Sequence, residues 1–153
     1  MAATHLQDGR PVMVDVSGKQ PTRRTAVAES VLRLTPATAA RLQEGGEKGD
    51  ALFTAELAGV MGAKRASELI PLCHPLPLSH VSVKGEVEGL AVRFTATCVT
   101  TARTGVEMEA LVAASTAALT LYDMLKSAGH DMEVASTRLL AKDGGRSGAW
   151  RRA

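Results

Sequence analysis

The segment from Thr104 to Ser127 constrains the fold of this chain more than any other. It contains only four charged residues, and its other positions are almost all Ala, Leu, Val, Met or small hydroxyl residues. This composition predicts a helix that is buried on most sides, in a domain core or against a second subunit. Thr104 and Glu107 have the spacing of a capping box at its start, and Gly129 follows its expected end.

The four charges on this apolar helix are Glu107, Glu109, Asp123 and Lys126. Burying charged groups in such a helix costs free energy unless they form ion pairs or take part in function. Asp123 and Lys126 are three residues apart, so they share a face about 4.5 Å apart along the axis and form a plausible acid/base pair. From the helix alone, an ordinary surface ion pair with Glu107 as a cap is an equally good interpretation.

Composition bounds the function. The length of 153 residues is that of one domain, so we expect a single domain over residues 1–153. A formal net charge of +2 is too small to indicate a nucleic-acid or membrane partner. With two Phe, one Tyr and one Trp, platforms for stacking bases are nearly absent, which disfavours an RNA-binding module.

The positions of the cysteines and histidines do not match a zinc site. Cys73 and Cys98 form no CxxC pair, and the four histidines are scattered, so no standard zinc pattern is present. No apolar stretch of signal-peptide type opens the chain, and none is expected to be long enough to span a bilayer. These features predict a cytoplasmic protein with reduced thiols.

The residue patterns predict the order strand, two helices, two strands, helix, strand. A polar, extended N-terminal arm is expected over residues 1–20, and a glycine-rich basic tail over residues 143–153. The strands are expected at residues 25–34, 80–87, 90–100 and 132–142. This order favours an α+β two-layer sandwich of ferredoxin-like type, with helices on one face of an antiparallel sheet.

Two helices are predicted between the first two strands. Thr35 and Pro36 take the N-cap and N1 positions of the first, which Gly45-Gly46 closes. Asp50 caps the second, which runs to residue 69 and ends before Pro71. Its apolar face is expected to include Leu52, Leu57, Val60 and Met61.

The segment LIPLCHPL places Cys73 and His74 between prolines, so a stiff loop displays both side chains. Alone, such a pair is more often structural than functional, and a metal centre there lacks further ligands at recognisable spacing. Arg146 lies on a glycine-rich loop suited to closing over phosphates. Other basic residues in short polar segments are Lys48, Lys64, Arg65 and Lys142.

Six segments together resemble the cyclic pyranopterin monophosphate synthase family, often called MoaC. They are VDVS (14–17), KGD (48–50), LIPLCHPL (69–76), TGVEMEAL (104–111), LYDMLK (121–126) and LLAKDGGRSG (139–148). The resemblance runs in order from about residue 10 to residue 152. It implies a lyase of molybdenum cofactor biosynthesis that converts (8S)-3',8-cyclo-7,8-dihydroguanosine 5'-triphosphate to cyclic pyranopterin monophosphate and releases pyrophosphate.

The resemblance also implies a ferredoxin-like subunit in a hexamer, a trimer of dimers, with active sites at subunit interfaces. It implies no resident cofactor or metal, although Mg²⁺ could enter with the triphosphate. Asp123 and Lys126 match the catalytic positions. The matching substrate-binding positions are Leu72, Cys73, His74, Met108, Glu109, Glu107, Lys48, Lys64, Arg24 and Lys142, with Arg23 as the alternative to Arg24.

The implied chemistry needs these residue types. Opening the five-membered ring of a purine and reclosing it as a pterin requires proton transfers, for which a carboxylate and an amine of tuned pKa serve. A sugar hydroxyl then attacks the α-phosphorus while pyrophosphate leaves. Lysines and arginines offset the charge on the departing oxygens.

Helix geometry separates two of the implied site residues. Glu109 and Asp123 are fourteen residues apart, which places them about 21 Å apart along one helix. One compact nucleotide pocket cannot easily use both from a single chain. We therefore expect each site to take Asp123 from one subunit and Glu109 from its neighbour, as an isologous pairing allows.

The chain departs from the family pattern at Arg146, where lysine is common, and at Ala66, where threonine is common. The main alternative is a non-catalytic ferredoxin-like module that binds a ligand or a partner. That alternative explains the fold but not the charges on an apolar helix. A P-loop is rejected, because GGRSG follows the last strand and lacks GxxxxGK[ST].

Overall fold

A computed structural model describes residues 5–45 and 50–153 of the chain. The alternating segments form strands, as the sequence predicts. Two short strands lie in the N-terminal arm: β1 (Leu6–Gln7) and β2 (Arg10–Pro11). The main strands are β3 (Thr22–Arg33), β4 (Leu78–Val87), β5 (Ala91–Ala102), β6 (Glu133–Asp143) and β7 (Trp150–Arg151).

The five later strands form one sheet in the order β4-β5-β3-β6-β7, and every neighbouring pair is antiparallel. β4 and β5 form the predicted hairpin, because Glu88 and Ala91 close its turn with two backbone hydrogen bonds. The short β7 was not predicted. It pairs with the end of β6, so part of the glycine-rich tail returns to the sheet.

The helices are α1 (Pro36–Glu44), α2 (Ala51–Lys64), α3 (Ala66–Leu69) and α4 (Glu107–Leu125), and a 3₁₀ turn, Lys126–Ala128, follows α4. The predicted N-caps of α1 and α2 are confirmed. Thr35 Oγ1 accepts from the Thr38 amide at 3.2 Å, and Asp50 Oδ1 accepts from the Phe53 amide at 3.0 Å.

The core lies between the sheet and α4. The residues of β3 and β5 that face the helices include Ala28, Leu32 and Phe94, which are fully buried. The facing side of α4 consists mostly of buried alanines, so its backbone lies close to the sheet. The predicted α+β architecture, with an antiparallel sheet and helices, is confirmed at this level.

Two helix predictions are wrong in detail. α4 begins at Glu107 after Val106, and within the described chain no side chain caps it, because Thr104 lies too far before the first turn. In α2, Leu57 and Met61 are about half exposed. The small residues of α2 are buried instead, since only they fit the close contact with α4.

The predicted second helix is also divided. α2 ends at Lys64, Arg65 leaves the helical conformation, and α3 adds one further turn before Pro71. The predicted end before the proline is confirmed.

The sheet face away from the helices is held by one buried carboxylate. Glu29 in β3 is 4% exposed and accepts from Arg93 of β5 at 2.7 Å and from Arg138 of β6 at 2.6 Å. Burial opposes the ionisation of Glu29, but the two guanidinium groups outweigh it and lower the pKa of the carboxyl. One carboxylate therefore ties three strands together.

One helical segment, Glu107–Ala128, is long and apolar enough to cross a bilayer by length and composition alone. The expectation that no apolar stretch has this length is therefore wrong. In this fold α4 packs against β3 and β5, and eight of its residues are buried. A helix buried in the core of a protein can have the same length and composition.

Candidate active site

A cleft of about 310 Å³ lies where the loop before β4, the first turn of α4 and the N-terminal arm meet. The sequence segments that suggested a site therefore converge in space. Its lining residues from the loop and α4 are Leu72, Cys73, His74, Leu76, Thr104, Gly105, Glu107, Met108 and Glu109. Six of these were predicted as substrate-binding residues.

The proline-rich loop holds Cys73 and His74 at the cleft, as its sequence predicts. A turn hydrogen bond joins the Cys73 amide to the Ile70 carbonyl at 3.1 Å. At the other end of the loop, the buried Thr100 hydroxyl donates to the Pro77 carbonyl at 2.6 Å. The loop is thereby tied to the sheet, and the two side chains between its prolines have a fixed direction.

Glu109 is a buried acid in the wall of the cleft. It is 3% exposed, and Cys73 Sγ lies 3.7 Å from its Oε1. Among the described residues its Oε2 has no hydrogen-bond partner. Burial raises the pKa of Glu109, and the charge of Glu107 adds to the increase. A carboxyl in this environment is suited to holding a proton for transfer.

The thiol of Cys73 is held in its protonated form at neutral pH. Burial, followed by the charge of Glu109, raises the pKa of Cys73 to about 11. Cys73 is therefore a hydrogen-bond donor to Glu109 and a weak nucleophile at neutral pH.

Glu107 lies at the rim of the cleft and pairs with Lys142 of β6. Lys142 Nζ is 3.3 Å from its carboxylate and 3.1 Å from Ser147 Oγ. The predicted role of Glu107 as a helix cap is thus replaced by an ion pair to β6. This pair brings the glycine-rich tail beside the cleft.

A second cavity, of about 620 Å³, adjoins the first and shares Lys19 and Thr104 with it. Its other lining residues are Gly18, Gln20, Thr22, Arg24, Arg103, Gly145, Arg146 and Ser147. Among the residues that the structure describes, four cations and no carboxylate line this space, so it suits a polyanion. We call it the basic cavity.

The two predicted alternatives, Arg24 and Arg23, lie differently relative to the basic cavity. Arg24 lines the cavity, whereas Arg23 is exposed on β3 outside it. Within the described ranges Arg24 Nε has no hydrogen-bond partner. Gly145 lies against the guanidinium, in a conformation with φ of 79° that glycine favours.

Sequence reasoning missed Lys19 and Arg103 as site residues. Lys19 follows the segment VDVS by two positions, and Arg103 directly precedes TGVEMEAL. Their adjacency to these segments was an available signal. It was overlooked because single basic residues near a polar arm are usually solvated charges.

Asp123 and Lys126 form the predicted pair, at the other end of α4. Lys126 Nζ lies 2.6 Å from Asp123 Oδ1, and both side chains are at least half exposed in the single chain. The hydrogen bond to Asp123 raises the pKa of Lys126. Neither residue lines the cleft that contains Glu109. Within a single chain, the Asp123–Lys126 pair is therefore not part of the cleft that contains Glu109.

The other predicted lysines lie elsewhere. Lys64 lines a separate groove of about 400 Å³ between α2 and β4, together with His80. Lys48 lies outside the described residues.

In residues 5–45 and 50–153, no group of three or more His, Cys, Asp or Glu side chains is arranged to hold a metal ion.

Comparison with known proteins assigns the class. A model of the MoaC family matches residues 13–145 of the chain. The chain belongs to the MoaC family.

Three relatives share a name. The chain is similar to the cyclic pyranopterin monophosphate synthase of Jannaschia sp. (strain CCS1), with 53% identity over 95% of the chain and 91% of that protein. Proteins of the same name from Roseiflexus sp. (strain RS-1) and Brucella ovis (strain ATCC 25840 / 63/290 / NCTC 10512) are each 52% identical. They cover 95% and 96% of the chain, and 94% and 92% of their own lengths. The resemblance noted in the sequence is confirmed.

Proposed function

We propose that this chain is a cyclic pyranopterin monophosphate synthase, a lyase of molybdenum cofactor biosynthesis. It converts (8S)-3',8-cyclo-7,8-dihydroguanosine 5'-triphosphate to cyclic pyranopterin monophosphate and releases pyrophosphate. The observation that carries this proposal is the 53% identity to a synthase of that name over 95% of the chain. The two adjoining cavities support it.

The cavities suit the two halves of such a substrate. The smaller cleft offers the buried Glu109 carboxyl and the Cys73 thiol to a polar ring system. The basic cavity offers Arg24, Arg103 and other cations to the triphosphate. Because the cavities share Lys19 and Thr104, one ligand can occupy both. Mg²⁺, where it takes part, would arrive with the triphosphate.

The basic cavity also suits the last step of the reaction. As a sugar hydroxyl attacks the α-phosphorus, the bond to the β-phosphate breaks and pyrophosphate carries away the negative charge. Guanidinium groups fixed around that position stabilise the charge as it develops. Gly145 and Arg146 place the tail loop over the same space.

We assign the proton transfers to Asp123 and Lys126, supplied by a neighbouring subunit. The pair is about 21 Å along α4 from Glu109, and both side chains are exposed in the single chain. A second copy of α4 would cover them and complete the site. This argument supports the proposed hexamer of three dimers, in which each dimer is isologous.

The remaining assignments follow the same proposal. We also propose a ferredoxin-like fold. The strand order β4-β5-β3-β6 supports it, with helices between the first and second and between the third and last of these strands in sequence. A cytoplasmic location fits the two free thiols, Cys73 and Cys98. Leu72 and Met108 would form the apolar walls around the ring system.

Turnover of the substrate tests the function directly. Purified protein is incubated with the cyclic dihydro-GTP, and both pyrophosphate and the cyclic pterin product are measured. We expect both products in equal amounts. A folded sample that binds the nucleotide but releases neither product would instead support a non-catalytic binding module.

Lys126→Ala tests the assigned chemistry. Removing the amine should lower kcat by at least about a hundredfold, as expected for a lost acid or base. Assembly, measured by light scattering, should be unchanged. The matched control is Lys84→Ala, which removes an exposed lysine that pairs with Glu86 on β4. A near-normal rate for Lys126→Ala would remove this residue from the mechanism.

A further inference from the structure

The N-terminal arm, residues 5–20, forms part of the wall of both cavities. His5, Val14, Val16 and Lys19 line the cleft, and the arm also lines the basic cavity through Gly18, Lys19 and Gln20. Most of the arm is exposed, so burial of apolar surface does little to hold it in place. Its position therefore depends on specific contacts with the body of the protein.

Two side chains of the body fasten the arm through its backbone. His74 Nε2 lies 2.7 Å from the Val14 carbonyl oxygen. Arg103 Nε donates to the Lys19 carbonyl at 2.9 Å. Between these two points, the Lys19 amide donates to the Val16 carbonyl at 3.0 Å, which closes the arm into a turn. The segment that crosses both cavities is thus anchored at each end.

The contact of His74 fixes what its ring can offer a ligand. A carbonyl oxygen only accepts hydrogen bonds, so the Nε2 atom of His74 carries a proton and donates it to Val14. That proton is not available to a molecule in the cleft. His74 stands on the stiff loop beside Cys73, so its ring presents a fixed donor to the arm.

We propose that His74 is a positioning residue that acts on the substrate mainly through the N-terminal arm. By holding Val14, it keeps the arm against the cleft and keeps Lys19 at the junction of the two cavities. The identity of the ligand in this inference rests on the proposed function, whereas the attachment of the arm by His74 does not. Arg103 provides the second anchor.

The test compares His74→Ala with His74→Gln. The amide nitrogen of glutamine lies near the position of Nε2 and can donate to the same carbonyl, whereas alanine cannot. The first readout is the rate at which trypsin releases residues 1–19 by cutting after Lys19, followed by mass spectrometry. The second is kcat and KM with the cyclic dihydro-GTP. His80→Ala, which removes a ring outside the cleft, is the control for the trypsin assay.

We expect His74→Ala to release the arm about tenfold faster, because cleavage follows local opening of the segment. Its KM should rise about tenfold, with a smaller fall in kcat, as expected when binding contacts are lost. His74→Gln should restore both values to within about twofold of the unmodified protein.

Two results would overturn this inference. One is an unchanged release rate in His74→Ala, which would show that His74 does not hold the arm. The other is a KM in His74→Gln as poor as in His74→Ala while its arm stays fastened, which would show direct contact between His74 and the substrate. If even the unmodified protein shows no turnover, the proposed function fails. The trypsin release rates then still test whether His74 holds the arm in place.

Discussion

Two residues in the cleft, Glu109 and Cys73, have raised pKa values. Glu109 and Cys73 lie in contact, and burial raises the pKa of both groups. Each also influences the other, since the charge of Glu109 disfavours the thiolate, while the hydrogen bond from Cys73 favours the carboxylate. This wall of the cleft therefore changes charge less readily than its composition suggests.

The reactivity of Cys73 measures this coupling. With a pKa of about 11 instead of the ordinary 9.0, the thiolate population at pH 8 falls about a hundredfold. Alkylation by iodoacetamide should be correspondingly slow. Glu109→Gln removes a negative charge, so it should lower the pKa of Cys73 and speed alkylation several-fold, while burial keeps the pKa above 9.0.

The measurement is the alkylation rate of each cysteine between pH 7 and pH 10, resolved by peptide mass spectrometry. Cys98 serves as a reference for a fully buried thiol, and its reactivity is compared with that of Cys73 in each variant. Burial, followed by the charge of Glu109, raises the pKa of Cys98 to about 12. Glu107→Gln is the matched variant, since Glu107 makes its ion pair with Lys142. An unchanged profile for Cys73 in Glu109→Gln would refute the coupling.

Among the elements, the packing of α2 on α4 depends on glycine. A Cβ added at Gly59 would lie 2.9 Å from the Ala113 carbonyl oxygen and 3.0 Å from Val83 Cγ2. One added at Gly62 would lie 2.6 Å from Thr116 Oγ1. Two glycines one turn apart thus allow the two helices to approach closely.

Gly59→Ala should therefore destabilise the fold, although alanine is the better helix former by about 1 kcal/mol. The rigid Ala113 carbonyl cannot move away without moving α4, so overpacking should cost a net 1–3 kcal/mol, roughly. Urea denaturation would show a lower midpoint. Gly18→Ala is the control, because nothing lies within 4 Å of its added Cβ. A midpoint for Gly59→Ala at or above the unmodified value would contradict this packing.

The elements were largely predictable because their signals are local. Thr35 and Asp50 mark helix starts by hydrogen bonds within one turn, and the alternation in β4 and β5 needs no knowledge of the rest of the chain. The exposed Leu57 and Met61 were mispredicted for the opposite reason. Which face of α2 is buried depends on the glycines that meet α4, and hydrophobicity alone favours the wrong face.

At the scale of the whole molecule, the predicted site is divided between the two ends of α4. The cleft with Glu109 lies at the start of the helix, and Asp123 lies near its end beside Lys126. Sequence segments identified both groups, and helix length predicted their separation. The basic cavity could not be predicted, because Arg24, Arg103 and Arg146 come from distant parts of the chain and meet only in the fold.

Mixing inactive variants tests the shared site. Asp123→Asn and Glu109→Gln should each be nearly inactive alone. In an isologous dimer with one subunit of each kind, one site carries both changes and the other carries neither. Random assembly makes half of the dimers mixed, so co-expression should restore about a quarter of the normal activity.

The control pair is Asp123→Asn with Lys126→Ala. Both residues come from the same subunit, so every site in a mixed dimer lacks one of them, and activity should stay absent. Equal recovery in both pairs, or no recovery in either, would show that the site is not divided in this way. Steady-state turnover of the co-purified mixtures gives the comparison.

The N-terminal arm is anchored through its backbone, so its side chains can change without loss of these anchors. Both of its anchors end on main-chain oxygens, those of Val14 and Lys19. Every amino acid carries such an oxygen, so the acceptor persists whatever side chain stands at either position. The inner surface of the arm is therefore open to redesign. New side chains at Val14 or Val16 would change the lining of the cleft, and both anchors would still find their acceptors.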